Sequence, residues 1–382
     1  MITKAGVVLH IITGLDDGGA EAVLYRLCIN DRVNTHCIIS LTSTGKYGPL
    51  LSGKGMSVYC LNMPRGRITF RGLWNLWRLL RLIQPATVQT WMYHADLIGG
   101  VMARLTGIKF ISWGVHNSNL ARGTVKLSTI CVAHICAKLS HFIPARIICC
   151  SQQAAVAHQA MGYAADKFTI IPNGYNLEQF APDHSSREQL RSKWDINSGV
   201  PLMGMVARFD PQKDIPNLLA ALREVISNDY NFRCVLVGTG MEKNNAVLVN
   251  WLAAAGLDDK VILLGIRNDI PAIMNAIDFH ILSSLGEAFP NVIAEAMACG
   301  TPCITTDVGD AALIVGETGW VVPRQNPKAL ADAIIAALDA MKDITHWKHR
   351  QLACRQRIVD NFSIERMVTS YQQEWQNISR SL

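Results

Sequence analysis

Two carboxylates and two cations in the C-terminal half have the types and spacing to act on a charged, oxygen-rich ligand. Glu287 and Glu295 bracket seven residues in the stretch IDFHILSSLGEAFPNVIAEAMACGTPCITTDVGD, residues 277–310. A helix start lies between them, because Pro290 or Asn291 suits a first helical position, where proline's missing N–H would be unpaired anyway. The free N–H groups of that start, expected over Ala288, Phe289, Pro290, Asn291 and Val292, join the positive end of the helix dipole in favouring a phosphate or diphosphate. Glu287 precedes this anion site and Glu295 lies about one turn inside it at roughly 1.5 Å rise per residue. A nucleotide's phosphates, sugar and ribose can span the two. A lone glutamate on a helix is ordinarily solvated, but Glu295 sits in VIAEAMAC among apolar neighbours, where a carboxylate needs a partner.

Arg208 and Lys213 fall in the turn of PLMGMVARFDPQKDIPNLLAAL, between an apolar strand and an amphipathic helix. Two loop cations are usually just solvated, yet placed after a strand they can hold a diphosphate and stabilise charge building on a leaving nucleotide. His116, in SWGVHNSN, follows another strand, the position where open α/β sheets keep their ligand residues. A capping or core role is the ordinary alternative for a lone histidine, and His94 in WMYHAD is a second candidate.

The elements that must position these groups alternate along the chain. DFHILSS, the helix up to Gly300 and PCITT form one strand, helix, strand unit whose crossover is right-handed by default. AGVVLHII is a first strand, followed by a glycine turn at Gly18 and Gly19 that opens a helix. HCIISL, SVYCLNM, ATVQTW, KFISWGV and RIICCS read as further buried strands, which predicts an α/β protein with parallel sheets. CVLVGTG adds a strand and a glycine turn at Gly238. The polar run APDHSSREQLRSKWDINSG marks a boundary near residue 180.

With these residues in view, G-E-A-F-P-N-x-x-x-E-A-M-A-x-G-x-P resembles the signature, a glutamate pair seven residues apart, of retaining glycosyltransferases of family 4, whose fold is called GT-B. I-P-N-G-x-x-x-x-x-F at residues 171–180 and R-x-x-x-x-K at Arg208 and Lys213 resemble it too. The resemblance is specific over residues 172–323 and looser before. It implies that Glu287 contacts the donor sugar, Glu295 the ribose hydroxyls and the backbone of residues 288–292 the diphosphate. It further implies that Arg208 and Lys213 bind the diphosphate, that Ile266 and Arg267 border the nucleobase, and that Gly18 and Gly19 face the donor phosphates or the acceptor. His116 becomes the candidate for a histidine touching the donor sugar, with His94 behind it. The expected architecture is two Rossmann-like domains with parallel sheets facing across a cleft. An acceptor-binding domain would take residues 1–180 and a nucleotide-sugar domain 181–362. A C-terminal helix, 363–382, would cross back onto the first.

Composition sets the remaining limits. At 382 residues the chain is too long for one typical core, and 49% hydrophobic against 17% charged residues excludes extensive disorder. The opening MITKAGVVLHIITG lacks the pattern of a signal peptide, and no run reaches the ~18 apolar residues of a membrane span. Eleven scattered cysteines fit reduced thiols in the cytoplasm. Cys131, His134 and Cys136 read as packing residues rather than a metal site. Charge is polarised: residues 1–180 hold 17 Lys and Arg against 7 Asp and Glu, and residues 32–165 hold 14 against one, Asp96.

The function these features imply is a retaining transfer of a sugar from a nucleotide diphosphate, UDP expected and GDP the alternative, to a hydroxyl of a glycan or lipid-linked acceptor of the undecaprenyl-diphosphate type. Bacterial surface polysaccharide or glycolipid assembly is the expected setting, with peripheral attachment to the inner, anionic face of the cell membrane. Neither a cofactor nor a metal is expected, since the cations neutralise the phosphates and no D-x-D appears, and nucleic acid is not an expected partner. Rival readings are a GT-B nucleotide-sugar epimerase or phosphorylase and, outside enzymes, a protein whose basic half binds a polyanion such as nucleic acid. In RGLWNLWRLLRLI a helix would bury Leu73, Leu76, Trp77, Leu80 and Ile83 and leave Arg71, Arg78 and Arg81 in water.

Overall fold

The apolar runs become strands, and every strand pair is parallel. The computed structural model describes residues 6–117 and 126–380, excluding the side chains of 378–380. The N-terminal residues read for a signal peptide lie partly outside them. The chain forms two compact units, one of Met1–Gly174 with Ile364–Leu382 and one of Tyr175–Ser363.

In the first unit β1 (Val7–Ile12), β2 (Thr35–Ser40), β3 (Ser57–Cys60), β4 (Thr87–Trp91), β5 (Ile111–Val115), β6 (Arg146–Cys149) and β7 (Phe168–Ile170) form a sheet in the order β3-β2-β1-β4-β5-β6-β7. β7 escapes the sequence reading because its three partly exposed residues carry no buried pattern. The final helix, Ile364–Arg380, belongs to this unit: Ile364, Met367, Val368, Tyr371 and Trp375 share an apolar cluster with Ile12, Leu24 and Ile148.

A buried hydrogen-bond relay runs beneath that helix. Trp91 Nε1–H donates to His10 Nδ1 at 3.1 Å, so the proton of the neutral His10 ring sits on Nε2, which is 2.9 Å from His36 Nδ1. His36 Nε2 lies 3.2 Å from Asp31, whose other oxygen accepts from Gln372 of the final helix at 2.7 Å. Burial pushes the Asp31 carboxyl up, but hydrogen bonds from His36, Asn34, Val33 and Gln372 outweigh it and hold it well below the usual range. His10, Cys28 and His36 bring three metal-ligating atoms within 4.8 Å of one another. The ring nitrogens are already committed to the relay, which accounts for the cluster as a hydrogen-bonded core.

The second unit holds β8 (Leu202–Val206), β9 (Arg233–Val237), β10 (Val261–Gly265), β11 (Phe279–Leu282), β12 (Cys303–Thr306) and β13 (Trp320–Val322), in the order β10-β9-β8-β11-β12-β13. Tyr175 joins this unit by bridging Ser363 and by donating its N–H to Phe362 O at 3.0 Å. The units therefore part at Gly174 and Tyr175, where the sequence reading had put residue 180.

The polar run read as a boundary contains the helix His184–Lys193, capped by Asp183. Its Arg187 and Arg191 pair with Asp278, at the foot of β11, and Asp278 also accepts the Leu202 N–H at 2.7 Å. Arg191 and Asp278 are buried, so this segment is core rather than linker. The cysteine reading also needs correction: all eleven thiols are free, but Cys131 and His134 are exposed and Cys136 alone of that trio is packed.

Candidate active site

Strand order reverses between β1 and β4 in one sheet and between β8 and β11 in the other, and a crevice opens beyond the carboxyl ends of strands at such a point. The turn after β8 carries Arg208 and Lys213, and the turn after β11 carries Glu287. Two hydrogen bonds stitch these turns together: Leu285 N–H to Gln212 O at 2.7 Å, and Ser283 Oγ–H to Lys213 O at 2.7 Å. Lys213 Nζ forms an ion pair with Glu287 Oε1, which also accepts from Ser284 Oγ at 2.8 Å. Both partners are largely buried, so the pair is screened less than a surface one. Arg208 is exposed at the start of the same turn.

The loop leading to the Asn291–Ala298 helix is held by its carbonyls. Ser284 O accepts from Thr306 Oγ1 at 2.7 Å, Leu285 O from Arg324 at 3.2 Å and Ala288 O from the Asp310 N–H at 3.1 Å. Gly309 makes the last contact possible: at φ +52° a Cβ there would lie 2.4 Å from the carbonyl oxygens of Glu287 and Ala288. With the carbonyls tied back, the N–H groups of Ala288, Phe289 and Val292 have no partner among the described residues. These are the donors an anion would use.

The five residues read as a diphosphate cradle therefore divide. Pro290 has no N–H to give and caps the helix, and its side chain is buried. The Phe289 ring is buried against Phe362, centroids 5.7 Å apart, so only its backbone amide is left to meet a ligand. Asn291 Oδ1 accepts from the Tyr175 hydroxyl at 2.6 Å. Glu295 is partly buried in the second turn, as expected of a carboxylate among apolar neighbours.

Behind the site, Gly238 at φ +133° would place a Cβ 2.2 Å from Ala207 O, so it sets the close packing of the β9 turn against the β8 turn. Ile266 is 66% exposed beyond β10, an apolar surface of the kind a base can lie on, whereas Arg267 is folded onto Asp269 by two hydrogen bonds. Beneath Lys213, His280 is fully buried and accepts the Val206 N–H at 3.2 Å. Burial and then the neighbouring Lys213 charge lower it to about 3, so it is neutral at physiological pH.

In the first unit, Gly18 and Gly19 open the Gly19–Asn30 helix with no left-handed backbone at either. His116 lies just beyond β5 with its ring stacked on Trp91 at 5.1 Å and 20°. Burial lowers it to about 4, and its Nε2 is buried without a partner among the described residues. His94 is partly buried on the helix after β4, and burial lowers it as well. Sequence reading missed Ser284, Gly309 and Tyr175. Only Ser284 carried a local signal, a hydroxyl three residues before Glu287.

Comparisons with known proteins bear on the family and the fold. Residues 17–179 match the family described as Glycosyltransferase Family 4, and residues 200–340 match Glycosyl transferases group 1. The chain belongs to glycosyltransferase family 4. This glycosyltransferase is 29% identical over 305 residues, 78% of its length and 77% of the relative's, to the UDP-Gal:alpha-D-GlcNAc-diphosphoundecaprenol alpha-1,3-galactosyltransferase of Escherichia coli. It is 26% identical to the capsular polysaccharide biosynthesis glycosyltransferase CapM of Staphylococcus aureus, over 72% of its own length and 74% of that protein's. Its fold matches Anabaena HepE crystallised with UDP, with a TM-score of 0.84 and 20% identity over 97% of this chain and 99% of that one. The two parallel Rossmann-like sheets are thus the GT-B architecture.

Proposed function

We propose that this glycosyltransferase acts with retention, moving a sugar from a UDP-sugar to a hydroxyl of a lipid-diphosphate-linked glycan at the inner face of the cell membrane, in surface-polysaccharide assembly. The observation that carries the reading is the Lys213–Glu287 pair beside the unpartnered amides of Ala288, Phe289 and Val292. A cation and N–H donors suit a departing diphosphate, and the adjoining carboxylate suits a sugar's hydroxyls. The names of the relatives support the donor and acceptor, one using UDP-Gal and a diphosphoundecaprenol-linked substrate. The lipid-linked substrate of that relative also supports peripheral attachment, and no helix among the described residues is long and apolar enough to cross a membrane.

In this reading the bond from the anomeric carbon to the phosphate oxygen breaks as Arg208, Lys213 and the loop amides take up the charge growing on UDP. The acceptor oxygen bonds to the anomeric carbon on the same face, and its proton passes to the departing phosphate. Glu287 orients the donor sugar, Glu295 holds the ribose hydroxyls and Ile266 borders the base.

The test separates the two glutamates. Glu295→Gln should weaken UDP binding roughly tenfold, the worth of one charge-assisted hydrogen bond of about 1.5 kcal/mol, whereas Glu287→Gln should lower turnover and leave UDP affinity near wild type. Titration calorimetry with UDP and a radiolabelled transfer assay read the two effects. Wild-type affinity in the first variant together with wild-type turnover in the second would remove the assignment. A thermal-shift panel of UDP, GDP and ADP decides the base, since a ligand at 100 times its dissociation constant adds about 2.7 kcal/mol.

A further inference from the structure

The Phe70–Ile83 helix buries Gly72, Leu76 and Leu80 and is capped by Thr69, whose hydroxyl accepts the Gly72 N–H at 3.1 Å. Its opposite side carries the arginines that the sequence pattern suggests, and large aromatic rings with them. Phe70 is 85% exposed and Trp74 54% exposed, and they lie among the exposed Arg71, Arg78 and Arg81. Trp77, expected in the core, is only partly buried. Trp74 stacks on it with centroids 5.1 Å apart at 21°, and the Arg81 guanidinium lies 5.3 Å over its ring. The aromatics are therefore propped in place on the surface rather than loosely exposed, and Ile68, 57% exposed, extends the apolar part into the preceding turn. No acidic residue occurs on the helix, and the one acid in residues 32–165, Asp96, is fully buried.

Rigid aromatic side chains interleaved with arginines on one helix face match a bilayer interface. Trp and Phe settle there at headgroup level, while the guanidinium groups meet anionic phosphates. A protein partner for the same face would need an acidic surface with pockets for two large rings; an anionic bilayer supplies both needs with no particular shape. We propose that this face docks the protein onto anionic phospholipid, with Phe70 and Trp74 entering the interface and Arg71, Arg78 and Arg81 pairing with headgroups. The inference rests on the reading of a lipid-linked acceptor and adds to it the surface that brings the enzyme there. Because part of the attachment is apolar, salt alone should not release it fully, unlike a purely electrostatic patch.

The experiment is sedimentation of the full chain with phosphatidylcholine vesicles, with or without about 30 mol% phosphatidylglycerol. Wild type should bind the anionic vesicles and keep part of that binding at about 0.5 M salt, where exposed charges are screened. Phe70→Ser with Trp74→Ser should cut binding about tenfold and make the remainder salt-labile, since two anchoring signals are needed for stable attachment. Arg71→Gln, Arg78→Gln and Arg81→Gln together should abolish the preference for anionic lipid. Lipids brominated near the headgroup should quench wild-type tryptophan fluorescence more strongly than that of Trp74→Ser. An unchanged thermal shift with UDP in each variant shows an intact fold and donor site. Vesicle binding by the variants equal to wild type, or no wild-type binding to either vesicle, overturns the proposal and leaves the transferase reading standing. Loss of UDP binding in the wild type would instead defeat the donor-site reading.

Discussion

Lys213→Ala is expected to slow sugar transfer by roughly 10²–10³, about 2.7–4 kcal/mol, the scale for removing one preorganised donor from a developing anion. Arg208→Ala should slow it less, because Arg208 is exposed and water shares its work. Lys213 owes its larger effect to its setting. Its ammonium is largely buried and its backbone carbonyl is held by Ser283. It is thus fixed before substrate arrives, in surroundings that weaken its field less than bulk water does. Removing it leaves Glu287 with the Ser284 hydroxyl, so the loop keeps its shape and the loss falls on chemistry rather than folding. Single-turnover transfer from a UDP-sugar measures it, with the melting temperature as control. A variant that transfers at the wild-type rate would mean that the Lys213–Glu287 pair is structural only.

The central strands and the glutamate-bearing unit were legible because their signals are local. An apolar run, a proline at a helix start and a glycine at its end lie within a few residues of one another, and β11, the Asn291–Ala298 helix and β12 follow them. What escaped depends on partners distant in the chain. Arg187 and Arg191 look like solvated charges until Asp278, about ninety residues on, is placed beside them by the fold. His10 interrupts an apolar strand and looks costly there; Trp91 and His36 supply its partners. Phe289 and Val292 both lie in the predicted cradle, yet only the structure shows that Phe289 turns its ring to Phe362 and keeps its amide for the site. Trp77 was assigned by helical period to the core, but Trp74 beside it offers a second ring to stack on, and the pair sits at the surface.

Stability should fall as the solution is acidified below about pH 6.5, because His10, His158 and His280 are fully buried and their protonation is shifted to lower pH in the fold. Burial is the first cause of the lowering at all three, joined by the neighbouring His36 ring at His10 and by Lys213 at His280. The unfolded chain takes up a proton at each near pH 6.5, while the folded chain does not until lower pH, about 3 for His280. The unfolded state thus binds more protons in that window, and stability drops as pH falls through it and is fully present above it. A histidine that stays neutral in the fold while its unfolded counterpart is protonated contributes about 1.4 kcal/mol per pH unit, as His280 does between roughly pH 4 and 6, a large fraction of a total stability of roughly 5–15 kcal/mol. A loss of stability as the pH falls from about 6.5 is the expected result, read by far-ultraviolet circular dichroism in the absence of ligand. Replacing His280 with Gln, which can still accept the Val206 N–H, should flatten the slope of stability against pH by about 1.4 kcal/mol per unit between roughly pH 4 and 6. Urea-melt stabilities that stay level from pH 7 to 5 in the wild type would show that these rings are protonated in the folded protein and that the burial argument fails.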